Sequence, residues 1–227
     1  MHTAATPTLR SLFITGTDTG AGKTLASAAL VHALRRDGAR VVGMKPVASG
    51  CEATPEGWRN EDALALQAAS DPRPAYALVN PYALEVPTAP QLAARAAGVT
   101  VTLPPLLDAY RALAAMADHV VVEGVGGWLA PLADDLEQSD LVKALDLPVI
   151  LVVGLKLGCL SHARLTARAI VADGCRLQGW IGSTVEAGFP AAYLELVRAA
   201  LPVPCLGVLP HAPGAHPADL AASLFPA

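Results

Sequence analysis

The sequence predicts an α/β fold, a mostly parallel sheet with helices on both faces, and three observations carry that expectation. Short apolar runs alternate with longer Ala- and Leu-rich amphipathic stretches as far as about residue 210, which is the βαβ pattern of such a sheet. Hydrophobic residues make up 53% of the chain and aromatics only 4%, so the core has to be built of Ala, Leu and Val, as suits helices laid on parallel strands. The length, 227 residues, falls where α/β folds remain undivided, and predicts one domain over 1–227 with a flexible N-terminus at 1–10 and a loop and short helix at 211–227.

The elements follow in order. A first strand, Leu12 to Thr15, runs into a glycine-rich turn, and a helix over Lys23 to Arg36 is stopped by Asp37-Gly38, where a left-handed residue is wanted. The second strand, Val41 to Met44, ends at "KPVASG", and Glu61 to Ala69 reads as a helix. "NPYALEVPTAPQLAARAAG" has four stops in a short span and reads as a loop-rich insertion with one short helix, Gln91 to Ala97. A helix over Leu106 to Met116 leads to a strand at His119 to Val122. Pro148 opens a strand over Val149 to Val153, where no ladder N–H is needed. His162 to Ala172 is helical and closes on Asp173-Gly174. A strand at Leu177 to Ile181, a helix over Ala191 to Leu201, and a strand at Cys205 to Leu209 entered through Pro204 complete the pattern.

Composition excludes several functions. A net charge of −4 supplies no basic field for a nucleic-acid backbone, so no nucleic-acid partner is expected. The start "MHTAATPTLR" lacks a basic segment followed by an apolar one, and no apolar run reaches the ~20 residues of a membrane span, so a cytoplasmic protein without a membrane partner is expected. Cys51, Cys159, Cys175 and Cys205 form no C-x-x-C pair, and the six histidines show no zinc-protease spacing.

Chemistry begins in "FITGTDTGAGKT". A β-branched strand, a glycine-rich turn and a Lys-Thr pair opening a helix are the context of a phosphate-binding P-loop, because turn amides and helix dipole converge on one anion. Lys23 would reach the β- and γ-phosphates, Thr24 would ligate Mg²⁺ through its hydroxyl, and Gly22 would let the backbone come close. The usual motif has glycine at position 17, where this chain has Thr17, with Gly16 one residue early. Lys45 ends the second strand on the rim where parallel sheets present ligands. Small residues follow it, leaving room for a ligand against backbone and the Ser49 hydroxyl. Asp62, in the first turn of a helix, and Glu123, closing an apolar strand before "GVGG", join Thr24 as a sufficient oxygen set for Mg²⁺. A binding module without chemistry is disfavoured by two lysines and two carboxylates on one rim. A regulatory P-loop ATPase of the partitioning type, acting through a protein partner, remains an alternative, although such proteins carry a second lysine early in the loop, where this chain has Asp18 and Thr19.

Taken in order, "GTDTGAGKT", "KPVASG", "RNEDALAL", "NPYALEVPTAP", "VEGVGGW", "VVGLKLGCLSHA" and "GWIGS" resemble the dethiobiotin synthetase family of the P-loop NTPase superfamily, over Leu12 to Pro210. The resemblance implies a P-loop NTPase-like homodimeric ligase of biotin biosynthesis that takes 7,8-diaminononanoate, CO₂ and Mg·ATP to dethiobiotin, ADP and phosphate. One amine captures CO₂ as a carbamate, the γ-phosphoryl passes to the carbamate oxygen, and the second amine attacks the mixed anhydride. Two like charges ~4 Å apart repel by ~4 kcal/mol at an effective dielectric of about 20, so Lys23, Lys45 and Mg²⁺ would neutralise carbamate and phosphoryl together. Thr19 and Ser49 would hold the carbamate or amine.

The resemblance further places the nucleotide on Gly20, Ala21, Gly22, Lys23, Thr24 and Leu25, on Asp62, Glu123, Gly124, Val125 and Gly126, and on Ser183, Thr184, Pro210, His211 and Ala212. It places the substrate carboxylate on the amides of Cys159, Leu160 and Ser161 of the partner subunit, with Tyr193 donating nearby. Three departures stand out. Gly20 replaces a larger residue, Ser183-Thr184 replace an Asn that reads the adenine edge in many members, and Pro210 to Pro213 occupy the base-flanking loop, so purine discrimination is expected to be weak.

Overall fold

The structure of the protein is a computed structural model, described over residues 11–225; the flexibility expected of residues 1–10 lies outside the described residues. The first half runs β1 (Leu12–Gly16), α1 (Lys23–Leu34), β2 (Val41–Met44), β3 (Val47–Ser49), β4 (Glu52–Thr54), β5 (Gly57–Arg59), α2 (Glu61–Ala69), α3 (Tyr76–Val79), β6 (Tyr82–Leu84) and α4 (Pro90–Ala96). It continues with α5 (Leu103–Met116), β7 (His119–Glu123), α6 (Gln138–Leu145), β8 (Val149–Gly154), α7 (Cys159–Ala172), β9 (Leu177–Ser183), α8 (Ala192–Ala200), β10 (Cys205–Leu209) and α9 (Pro217–Leu220), then a 3-10 turn at Ala221–Ser223.

Six strands form one parallel sheet in the order β10-β9-β8-β1-β7-β2. Side chains alternate across each strand, and both faces are apolar. Phe13, Val42, Met44, Val120 and Val122 face a core closed by α4, α5 and α6, while Leu151, Val153 and Trp180 pack under α7 and α8. Leu12, Ile14, Val41, Val121, Ile150 and Ile181 face the other way, onto α1 and α9. Helix α1 is buried along almost its whole length, because it lies between the sheet, α2 and α9. That explains its Ala-rich, non-amphipathic sequence.

Every strand expected from the sequence is present. Several boundaries and elements differ, each for a local reason. Helix α5 starts at Leu103 rather than Leu106, since Pro104 and Pro105 occupy opening positions, where a missing N–H costs nothing. Helix α7 begins at Cys159, three residues earlier than expected, on a left-handed Gly158. Helix α6 was not expected at all; its start is a reciprocal box in which Glu137 and Asp140 cap each other's backbone amides. The irregular insertion contains α4, as expected, and also β6, which pairs in parallel with β3 and fixes the strand that ends in Ser49. Among the described residues no helix is long and apolar enough to cross a membrane.

Candidate active site

The strand order puts β2, β7 and β1 side by side, so Lys45, Glu123 and the glycine-rich turn emerge at adjacent carboxyl ends of the sheet. A cleft of about 830 Å³ opens there, lined among others by Thr19, Gly20, Gly22, Lys23, Thr24 and Leu25 from the turn and α1. Lys45, Ser49, Asp62, Val125 and Gly126 line the same cleft. Glu123 and Gly124 are buried just behind it, and Ala21 is buried under the turn.

The turn shows why this chain tolerates Thr17. A Cβ on Gly16 would lie 3.0 Å from Lys23 Cγ, so a side chain at position 16 would crowd the lysine stem. Thr17 instead accepts a hydrogen bond at Oγ1 from the Gly154 amide (3.3 Å), and its own amide donates to Val152 (3.0 Å), tying the turn to β8. Asp18 Oδ1 accepts from the Thr19 amide (2.7 Å) and its Oδ2 pairs with Lys156 (3.2 Å). Gly22 sits at φ 85°, and a Cβ there would fall 2.2 Å from Ser183 Oγ. Gly22→Ala is therefore expected to displace the turn and abolish measurable nucleotide binding while the sheet still folds, with titration calorimetry and circular dichroism as the two readouts.

Lys45 is 3% exposed and spends all three ammonium protons, on Glu123 Oε1 (2.6 Å), Asp62 Oδ2 (2.9 Å) and the Gly124 carbonyl (3.2 Å). Thr24 Oγ1 lies within hydrogen-bond reach of Asp62 Oδ1 (2.7 Å) and Glu123 Oε1 (3.0 Å). Burial alone would push the Lys45 ammonium toward neutrality, but Glu123 and Asp62 outweigh it and hold its pKa above the ordinary lysine value. Burial would likewise raise Asp62, yet Lys45, Thr24 and Lys23 keep it below the usual carboxylate range. Lys23 is different. Its ammonium donates to the Asp18 carbonyl (3.0 Å), and burial, then the charge of Lys45, bring its pKa down to about 8 against the pull of Glu123, Asp62 and Asp18.

Three oxygen-bearing side chains, Thr24, Asp62 and Glu123, converge around one point, and Glu123 Oε2 is buried with no hydrogen-bond partner among the described residues. Hard oxygen donors with one orphaned carboxylate oxygen fit a hard divalent cation such as Mg²⁺.

The remaining residues are not among those lining the cleft. Ser183 ends β9 beneath Gly22, and Thr184 follows it, its carbonyl 3.3 Å from His211 Nδ1, so this edge and the segment Pro210, His211 and Ala212 meet. Cys159, Leu160 and Ser161 form the first turn of α7; the Cys159 amide already donates to the Lys156 carbonyl (3.0 Å), which leaves Leu160 and Ser161 as first-turn donors without an intrahelical acceptor. Tyr193 is half-buried on α8, its ring 4.9 Å from that of Phe189.

Sequence reasoning missed Gln138, the first residue of α6. Its Oε1 accepts from the Val125 amide (2.8 Å), and its Nε2 donates to the Gly127 carbonyl (3.2 Å) and Thr15 Oγ1 (3.3 Å). A Cβ on Gly124 would strike this amide, at 2.2 Å from Oε1, so the glycine and the glutamine require each other. The Glu137/Asp140 box was the signal that could have placed it. Asn60 was also missed, although an Asn immediately before "EDALAL" is an N-cap signature; its Oδ1 accepts from the amides of Asp62 (3.1 Å) and Ala63 (3.3 Å).

Comparison with known proteins identifies the family. A family described as an AAA domain matches residues 10–218. The ATP-dependent dethiobiotin synthetase BioD of Xanthomonas euvesicatoria pv. vesicatoria is 57% identical over 216 residues, covering 94% of this chain and 96% of that protein. The protein of the same name from Xylella fastidiosa strain 9a5c is 58% identical over 221 residues, covering 96% and 98%. Among solved structures, the cell division protein ftsY of Thermotoga maritima superposes with a TM-score of 0.51 at 16% identity, over 96% of this chain and 69% of that one, a likeness of fold alone.

Proposed function

Since the chain belongs to the ATP-dependent dethiobiotin synthetase family, we propose that its cleft closes a ureido ring on 7,8-diaminononanoate using CO₂ and ATP, with release of ADP and phosphate. The observation that carries this reading is the gathering of Lys23, Lys45, Thr24, Asp62 and Glu123 on one rim. A carbamate must approach a triphosphate there, and the mutual repulsion of the two anions has to be offset at the point where phosphoryl transfer occurs.

Lys23 leaves the Asp18 carbonyl to reach the β- and γ-phosphates, a short swing on a stem held beside Gly16. Thr24, Asp62 and Glu123 would hold Mg²⁺, which supplies neutralisation of the phosphoryl charge when bound. Lys45 then has carboxylates to share and turns part of its donor capacity toward the carbamate oxygen. Thr19 and Ser49, which both line the cleft, hydrogen-bond the carbamate or the free amine. The amides of Ala21, Gly22 and Leu25 bind the phosphates at the N-terminus of α1. Val125 and Gly126 line the cleft beside Thr19. Ser183, Thr184, Pro210, His211 and Ala212 flank the base. Ser183 and Thr184 offer hydroxyls that donate or accept, which supports weak discrimination between purines.

The substrate carboxylate would rest on the first turn of α7 of a second copy, on the amides of Leu160 and Ser161 beside Cys159, with Tyr193 nearby. Leu157 and Leu165, 78% and 62% exposed at this end of the molecule, support a homodimer that covers them. A cytoplasmic setting, without nucleic-acid or membrane partners, fits the charge and hydropathy of the chain.

The test is phosphate release from ATP and bicarbonate with and without the diamine. Strict dependence on diamine is expected. Phosphate release indifferent to diamine would favour a switch ATPase instead.

A further inference from the structure

A hydrogen-bonded chain runs from Asn60, which lines the cleft, to Tyr76 and Asn80, which do not. Tyr76 opens α3, and its hydroxyl accepts from the Asn60 amide (2.8 Å) and donates to Asn80 Oδ1 (3.1 Å). Asn80 Nδ2 in turn donates to the Lys45 carbonyl (2.7 Å) and the Tyr82 carbonyl (3.2 Å). Asn60 caps α2 through the Asp62 amide and reaches the Ser49 carbonyl with Nδ2 (3.4 Å). The Tyr76 ring is held from outside by the Arg59 guanidinium, 4.2 Å from its centroid. Asn60 and Asn80 are 6% and 3% exposed. One phenolic oxygen thus joins the segment carrying Lys45, the helix carrying Asp62 and the strand ending in Ser49.

We propose that Tyr76 is a positioning residue whose hydroxyl sets Lys45 and Asp62 in register with each other; this rests on the ligase reading above. The physical reason is that Lys45, just past β2, and Asp62, in the first turn of α2, sit on separate elements that are joined farther back where Gly43 meets Leu66 and Ser70, while at the rim their charged groups meet in an ion pair. That pair has to loosen when Lys45 turns toward the carbamate. The relay through Tyr76 contains no charged group and takes no part in that exchange, and its amides Asn60 and Asn80 are almost fully buried. It holds both elements in place while the charged groups change partners. A misplacement on the order of 1 Å at a reacting centre costs about 10²-fold in rate, so loss of the relay is read in turnover.

The test is Tyr76→Phe, which keeps the ring and removes the oxygen. A fall in kcat of about tenfold to 10²-fold is expected, with KM for ATP unchanged, since the glycine-rich turn is not part of the relay. In an Asp62→Asn background the same substitution is expected to add little, as coupled residues behave non-additively. Leu113→Ala, deep in α5, is the control for instability alone: a lowered melting temperature with kcat per folded enzyme unchanged. Asn80→Ala, which cuts the last link, carries the same expectation should Tyr76→Phe fail to fold. A wild-type kcat in Tyr76→Phe, or additive losses with Asp62→Asn, would overturn the proposal. If wild-type enzyme released no diamine-dependent phosphate, the ligase reading would fall by itself. The relay is then judged by a crystal structure of Tyr76→Phe, where an unchanged Lys45 to Asp62 separation overturns it and a lengthened one supports it.

Discussion

Lys45→Ala is expected to lower kcat by about 10²–10³-fold, the scale seen when one preorganised electrostatic stabiliser is removed. The structure adds a second consequence. Lys45 is the partner of a fully buried Glu123 and a partly buried Asp62, so its removal leaves the two carboxylates facing each other without the ammonium they both contact. Breaking a buried pair on one side costs about 3–5 kcal/mol, and the exposure of Asp62 places this site toward the lower end. A thermal shift in the absence of ligand and single-turnover phosphoryl transfer with Mg·ATP separate the two effects. Unchanged turnover would remove Lys45 from the mechanism.

Lys23→Met is expected to weaken ATP binding by roughly tenfold to 10²-fold, since a hydrogen bond to a charged group contributes about 1.5–3 kcal/mol. It should not destabilise the free enzyme at neutral pH. The native pKa of Lys23 is about 8 and its ordinary value 10.5, so the unfolded chain binds the proton more tightly. Stability of the unliganded wild type therefore rises as pH climbs from about 8 toward 10.5, and below that window the buried ammonium is a fixed burden. In Lys23→Met this rise is expected to flatten, as measured by denaturant midpoints across the alkaline range. Equal ATP affinity in mutant and wild type by calorimetry would count against the role of the turn.

The two lysines thus illustrate what the chain discloses in one dimension. Lys23 and Thr24 were readable because a P-loop is contiguous: strand, turn and helix start carry the whole device. Lys45, Asp62 and Glu123 were readable because each closes or opens a recognisable element on the rim of a parallel sheet. The sheet itself was readable from apolar runs such as "VILVV" between a proline and a glycine. The short elements of the insertion and the segment before α2 were not. β3 and β6 exist because they pair with each other, and neither "VAS" nor "YAL" carries a pattern of its own. Helix α6 escaped because "QSDLVKAL" spans barely two turns, and its capping residues had to be recognised before its periodicity could count. Tyr76, Asn80 and Gln138 were invisible for a deeper reason. Their roles depend on bonds made across separations of 13 to 35 residues, which local composition does not encode.

The stretch from Gly124 to Gly127 shows what such a distant bond achieves. A run of glycines read in isolation suggests slack, a segment that would have to be immobilised afresh by each arriving ligand. Clamped at two points by the amide of Gln138, it is instead a wall whose conformational freedom is surrendered once, during folding, so that little ordering is left to oppose a nucleotide when it docks.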